Sequence, residues 1–230
     1  RFIKKRITES LGDLYGMHWP FKQHKTSRNI KTLPHHDNLK SFGACFGVSG
    51  GYERPMWFAL DGEKAEYEYS YNYQNWYPSV EFETNNTITN VGLYDLSPFS
   101  KFEIKSEKAH EDLQRICTSN IKQEPGKCTY THMLNKDGGI ETDLTVVCID
   151  QNHFRIISSA ATRERDKFHI KKHLSEGVEL TDVTDDYCVF GIFGPKSRLL
   201  MQDLCSEDFS NENFKFANSK YIEIDSTKIW

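Results

Sequence analysis

The stretch that most constrains the fold runs from Cys128 to Val147: Cys-Thr-Tyr-Thr-His-Met-Leu-Asn-Lys-Asp-Gly-Gly-Ile-Glu-Thr-Asp-Leu-Thr-Val-Val. Two runs rich in Thr, Tyr and Val flank a polar loop with Gly138-Gly139, which is the pattern of an antiparallel hairpin. Strands are expected at 128–134 and 144–149, with Asp143 at the mouth of the second. A carboxylate beside a glycine turn can approach a ligand without steric obstruction. Asn135 and Asp137 admit two readings, as turn-formers or as ligand contacts, and Asp143 likewise has a structural and a functional reading.

The same periodicities organise the chain around this hairpin. Residues 92–95, 100–106, 153–158, 178–182 and 187–193 read as strands. The clearest alternation sets Phe102 and Ile104 against Lys101, Glu103 and Lys105. Helices are expected at 3–16, 81–90, 107–117, 161–174 and 196–204, the last opened by Gly194-Pro195. Strands that arrive mostly as hairpins, with helices between them, predict an α+β fold with antiparallel pairing.

Composition narrows the class. Of 230 residues, 37% are hydrophobic and 15 Phe, 11 Tyr and 4 Trp are present, enough to bury a real core. With 29 basic and 33 acidic side chains the net charge is −4, which argues against binding nucleic acid through its phosphates. No apolar run approaches the roughly 18 residues of a membrane-spanning helix. The six cysteines include no Cys-x-x-Cys pair, and reduced thiols in a bacterial cytoplasm or a mitochondrial matrix are expected.

The first 80 residues have a different character. A basic polar stretch leads to four glycines at 43, 47, 50 and 51 and then to Glu53-Arg-Pro-Met-Trp-Phe58. Residues 61–80 are polar and rich in Tyr, and read as a linker or surface crossing with a domain boundary near residue 80. The chain begins at Arg1 and ends inside an alternating run that reads as a strand or hairpin, so a fragment of a longer protein is expected.

The 128–147 hairpin resembles that of the aminomethyltransferase (T-protein) of the glycine cleavage system, with its asparagine, Gly-Gly turn and following aspartate. Val91-Gly-Leu-Tyr-Asp-Leu-Ser-Pro-Phe-Ser-Lys-Phe-Glu-Ile104 is similar to that family's opening strand pair. Gly126-Lys-Cys-Thr-Tyr130 is similar to its approach to the hairpin, and Ile192-Phe-Gly-Pro-Lys196 to its later strand-to-helix corner. These landmarks cover residues 81–230. Upstream, Tyr15-Gly-Met-His-Trp-Pro20, Ser27-Arg-Asn-Ile-Lys-Thr-Leu-Pro34 and Tyr52-Glu-Arg-Pro-Met-Trp-Phe58 resemble the central segment of dimethylglycine and sarcosine dehydrogenases.

The resemblance implies a central segment at 1–80, followed at 81–230 by the N-terminal half of a folate-binding domain truncated at its C-terminus. It implies an FAD- and tetrahydrofolate-dependent oxidation of an N-methyl amine, with FAD in a domain that precedes this chain. The one-carbon unit would pass to tetrahydrofolate as 5,10-methylenetetrahydrofolate, and an electron-transfer flavoprotein is a candidate acceptor of the electrons. It also implies that Asp143 is the catalytic carboxylate, that Tyr130 lines the folate pocket and that Asn135 contributes to it. The motif reads Glu141-Thr142-Asp143 where T-proteins commonly carry two adjacent aspartates. The alternatives are a stand-alone aminomethyltransferase or demethylase and a non-enzymatic folate-binding assembly module, neither of which explains the first 60 residues.

The remaining features have structural readings. His169 and His173 stand one helical turn apart but are separated by two lysines, so a solvated helix face is expected, not a metal site. The charge cluster from Arg163 to Lys172 is read in the same way. Arg54, Trp57 and Phe58 are read as a structural corner at Pro55, and Cys117 and Cys148 as small core residues.

Overall fold

The computed structural model describes residues 2–230 and divides them into two compact units. The first comprises residues up to Asp95 together with Gly191–Pro195, and the second comprises Leu96–Phe190 and Lys196–Trp230.

The first unit opens with helix α1 (Phe2–Asp13) and continues through α2 (His36–Ser41), β1 (Ala44–Ser49), β2 (Tyr52–Phe58), α3 (Tyr77–Thr89) and β3 (Gly92–Asp95). Helix α1 buries none of its side chains and is tied instead by hydrogen bonds to the loop that follows. Its Glu9 carboxylate accepts from the N–H groups of Lys25 at 2.6 Å and Thr26 at 2.9 Å. Strands β1 and β2 form a hairpin whose two-residue loop, Gly50-Gly51, has φ of 59° and 84°. Two consecutive positive φ values are what a tight hairpin turn requires, and glycine adopts them without a steric penalty.

This hairpin corrects the reading of Arg54, Trp57 and Phe58 as a corner, since all three lie within β2. Pro55 is accommodated by a register shift opposite Cys45 and Phe46, a bulge where a strand proline's missing N–H is tolerated. Trp57 is buried, and Tyr67 packs edge-on against it at 6.1 Å between centroids.

The Tyr-rich stretch has no regular structure, yet it is packed. Tyr67 and Tyr69 stack at 5.5 Å, and Trp19 meets Tyr71 at 4.7 Å. The Tyr69 hydroxyl accepts from the Gln23 N–H at 2.8 Å. Helix α3 starts four residues before its expected position because Pro78 fits a first turn, where no amide donor is needed. Thr87 and Thr89 donate back to the carbonyls of Glu83 and Asn85, so these residues are accommodated within the helix.

The second unit contains β4 (Ser100–Lys105), α4 (Ala109–Ile116), β5 (Cys128–Leu134), β6 (Ile140–Asp150), β7 (His153–Ser158), α5 (Arg163–His173) and β8 (Leu180–Asp182). The chain then runs through β9 (Phe190–Phe193), α6 (Ser197–Leu204), β10 (Ile222–Ile224) and β11 (Thr227–Ile229). Strand β9 pairs with β3, so its residues from Gly191 onward belong to the first unit. The central sheet has the order β5-β6-β7-β4-β8, and each of its pairings is antiparallel. The α+β antiparallel architecture is therefore the one that the hydrophobic pattern predicts.

Period-two alternation gives the sheet two unlike faces. One carries Phe102, Ile104, Met133, Leu144, Val146, Cys148, Phe154 and Ile156, which bury against Ala109 and Leu113 of α4 and Ile170 of α5. Cys117 and Cys148 join this core, as their apolar positions predict. The other face carries polar groups. Register aligns Tyr130 with Thr145, Thr145 with Ile157 and Ile157 with Lys101, a single row across four strands.

One further expectation is corrected. The inner edge of the Arg163–Lys172 cluster is not solvated: Arg163 forks onto Asp182 with Nε and Nη2 at 2.9 and 2.8 Å, and Asp166 is buried. The alternating C-terminal run forms the hairpin that its pattern allows, β10 pairing with β11 through a turn at Asp225-Ser226.

Candidate functional site

The site is built on the polar face of the β5–β6 hairpin. Tyr130 and His132 alternate along β5 with the buried Thr131 and Met133. Asp143 alternates along β6 with the buried Thr142 and Leu144, and so shares the face of Tyr130 and His132. Strand β6 begins at Ile140, so Asp143 lies inside the strand and not at its mouth. A ladder position holds the carboxylate more firmly than a loop would.

Two sequence-predicted residues meet here. The Tyr130 hydroxyl donates to Asp143 Oδ2 at 3.2 Å. Tyr130 is 61% exposed, and Asp143 is exposed too, so the pair faces solvent. Partial desolvation, and then the adjacent Asp143 carboxylate, push the Tyr130 phenol above its ordinary range. Among the described residues Asp143 Oδ1 receives no donor, and it is free to accept one from a ligand.

Asn135 is not brought to this pair. Its carboxamide oxygen accepts from the N–H groups of Asp137 at 3.0 Å and Gly139 at 2.8 Å. Its carbonyl accepts from Gly138 N–H at 3.1 Å, so the side chain and backbone of Asn135 together shape the turn. The residue that sequence reasoning missed is His132. It stands opposite Asp143 in the register, and its ring meets Tyr130 at 5.4 Å and 73°. The signal was present in the i, i+2 spacing from Tyr130.

Further along the same face Glu103 is buried with Arg155, which donates from Nε at 3.1 Å and from Nη2 at 2.7 Å. His153 Nε2 lies 2.9 Å from the same carboxylate, and the Arg155 guanidinium lies 4.2 Å from the centre of the Tyr187 ring. Burial opposes ionisation of Glu103, but Arg155 and His153 outweigh it and lower its pKa. This network joins β4 to β7 on the sheet face that also carries Tyr130 and Asp143.

The first unit carries a cleft of about 680 Å³ lined by His24, Lys25, Arg28, His36, Tyr67 and Tyr69, among others. Its Arg28 is already engaged by Glu53 and by the carbonyls of His24 and Phe46. On α5 the His173 ring nitrogen Nδ1 lies 2.8 Å from the His169 carbonyl, so this pair is bound into its own helix.

Comparison with known proteins places this hairpin in a family. The model of the GCVT N-terminal domain matches residues 35–230. The chain belongs to the GCVT N-terminal domain family. The match starts inside the stretch whose motifs point to a dehydrogenase central segment. The chain is 36% identical over 224 residues to 4-methylaminobutanoate oxidase (formaldehyde-forming) of Paenarthrobacter nicotinovorans, which covers 97% of this chain and 27% of that protein. It is 33% identical over 181 residues to mitochondrial dimethylglycine dehydrogenase of Rattus norvegicus, covering 77% of this chain and 21% of that protein. The chain thus spans about a quarter of the length of these curated relatives. The glycine cleavage system aminomethyltransferase T from Bartonella henselae shares the fold, with a TM-score of 0.60 and 22% identity over 76% of this chain and 44% of that one. No helix among the described residues is long and apolar enough to cross a membrane.

Proposed function

We propose that this GCVT-family chain is the folate-binding part of an FAD- and tetrahydrofolate-dependent dehydrogenase or oxidase of an N-methyl amine such as dimethylglycine or sarcosine. On this reading residues 1–80 are the central segment, 81–230 begin the folate domain, and FAD belongs to a domain outside this chain. The observation that carries the reading is the Tyr130 hydroxyl on the exposed Asp143 carboxylate. The likeness to the oxidase extends over 97% of the chain and therefore beyond the family model, which favours the two-cofactor enzyme over a stand-alone aminomethyltransferase.

The donor set fits one wall of a folate site. An exposed aromatic ring offers a surface for a flat heterocycle, and a fixed carboxylate offers an acceptor for its N–H groups. Bound tetrahydrofolate would supply the amine nitrogen that captures the one-carbon unit, released as 5,10-methylenetetrahydrofolate. Asp143 Oδ1 accepts the proton of the attacking nitrogen and stabilises the positive charge of the electrophile. Tyr130 holds Oδ2, so the carboxylate keeps one orientation while Oδ1 works. FAD, held outside this chain, would supply the two-electron oxidation of the amine, and an electron-transfer flavoprotein is the candidate acceptor.

The deciding experiment is Asp143→Asn in the full-length protein. Methylenetetrahydrofolate formation should fall at least a hundredfold while amine oxidation changes less than twofold, the scale expected when a general base is removed. Equal survival of both activities would refute the assignment of Asp143.

A further inference from the structure

We propose that His132 is a positioning residue for the one-carbon transfer, acting through Tyr130. The proposal rests on the reading of Asp143 and Tyr130 as the folate-facing pair.

The backbone of His132 is turned away from β6. Its carbonyl accepts from Thr118 N–H at 2.9 Å, and its N–H donates to Thr118 Oγ1 at 3.3 Å. His132 and Asp143 are nevertheless register partners, so they form a non-hydrogen-bonded antiparallel pair. In such pairs the Cα atoms approach to about 4.5 Å and the side chains are closest. Tyr130 sits two residues back on the same face, diagonal to Asp143, at a span that an aromatic side chain bridges.

Three side chains thereby fix one another. The Tyr130 and His132 rings meet edge to face at 5.4 Å, and the phenol reaches Asp143 Oδ2 at 3.2 Å. Tyr130 is 61% exposed, so the Tyr130 ring has solvent on the rest of its circumference. The half-buried His132 ring is the wall that selects the Tyr130 rotamer in which the hydroxyl addresses Asp143. What matters is the flat ring at position 132, not its charge.

The test uses full-length protein carrying His132→Ala, His132→Gln, His132→Phe and, separately, Asp143→Asn. The readout is methylenetetrahydrofolate formed per amine oxidised, with kcat and KM for tetrahydrofolate resolved. A 19F spectrum of 3-fluorotyrosine placed at position 130 reports the ring itself. Alanine and glutamine should lower the transfer kcat five- to tenfold, leave KM within twofold and shift the 19F signal. Phenylalanine should restore kcat and the signal to near wild type. A reversed pattern, with glutamine active and phenylalanine defective, overturns the ring-packing role, and so does an alanine variant with unchanged kcat. If Asp143→Asn still transfers normally, the underlying reading fails. If it does not transfer but the His132 variants do, only this proposal fails.

Discussion

Arg28 forks onto Glu53 with Nε and Nη2 at 2.7 and 2.6 Å from the two carboxylate oxygens, and that carboxylate is 2% exposed. The Asn29 N–H also donates to Glu53 at 2.8 Å, which fixes the loop before α2 to the β1–β2 hairpin. Burial works against the charge on Glu53, but Arg28 and Asn29 overcome it and lower its pKa.

Removing one partner leaves the other buried without compensation, which costs about 3 kcal/mol or more. Glu53→Gln and Arg28→Met should each lower stability by that order in urea unfolding of the intact protein. The double variant should cost clearly less than the two together, because the second change removes the charge that the first had orphaned. Strict additivity would show that the pair does not act as a unit.

Gly194 makes a sharper prediction. Its φ is +120°, and a Cβ there would lie 2.4 Å from the Asn90 carbonyl oxygen and 2.6 Å from that of Thr87. Both obstacles are backbone at the end of α3, so neither can rotate aside. Gly194→Ala should cost about 2–4 kcal/mol, combining left-handed strain with overpacking. Gly51→Ala is the control: its φ is +84° with nothing within 4 Å of the added carbon, so only the conformational cost of about 1 kcal/mol applies. Equal thermal shifts in the two variants would contradict the close approach.

Why the 128–147 hairpin could be read ahead of the structure, while β1 and β2 could not, has a physical basis. Leu144, Val146 and Cys148 bury one face of β6, and period-two patterning records such one-sided burial directly. Strands β1 and β2 mix Gly47, Glu53, Arg54 and Pro55 into their ladder, and Glu53 and Arg28 compensate for a pattern that looks like loop. The Tyr-rich stretch misleads in the same way: its order comes from ring contacts among Trp57, Tyr67 and Tyr69, which have no period. Motif order singles out Tyr130 and Asp143, and the structure brings their side chains together. The pairing of His132 with Asp143 needed the register, which a Gly-Gly loop alone does not specify.

Lys101 ties stability to pH. It is 2% exposed, and its Nζ donates to the carbonyls of Ser97 and Phe99, both at 2.8 Å. Burial lowers its pKa to about 8 from 10.5, with Asp185 opposing the shift. Below pH 8 both folded and unfolded chains hold the proton. Between about 8 and 10.5 only the unfolded chain holds it, so stability should rise with pH in that window. The two N–H groups of the neutral amine then serve the two carbonyls. Relative to Lys101→Met, the wild-type unfolding free energy should climb by on the order of 2 kcal/mol between pH 8 and 10. Urea midpoints at each pH measure the gap, and parallel curves would mean that Lys101 titrates alike in both states.

Tyr130→Phe separates orientation from proton acceptance at the candidate site. The variant keeps the ring and its edge contact with His132 but deletes the hydroxyl that reaches Asp143 Oδ2. The carboxylate is then free to rotate, and both oxygens compete for water. At this exposed residue water replaces part of the lost hydrogen bond, so the effect is smaller than for a buried one. Transfer to tetrahydrofolate in the full-length protein should therefore slow roughly tenfold, well short of the loss expected for Asp143→Asn. If Tyr130 instead serves mainly as a stacking surface, the phenylalanine variant will transfer at the wild-type rate, and Tyr130→Leu will raise KM for tetrahydrofolate. The ratio of these two effects decides whether the phenol or the ring is what the site uses.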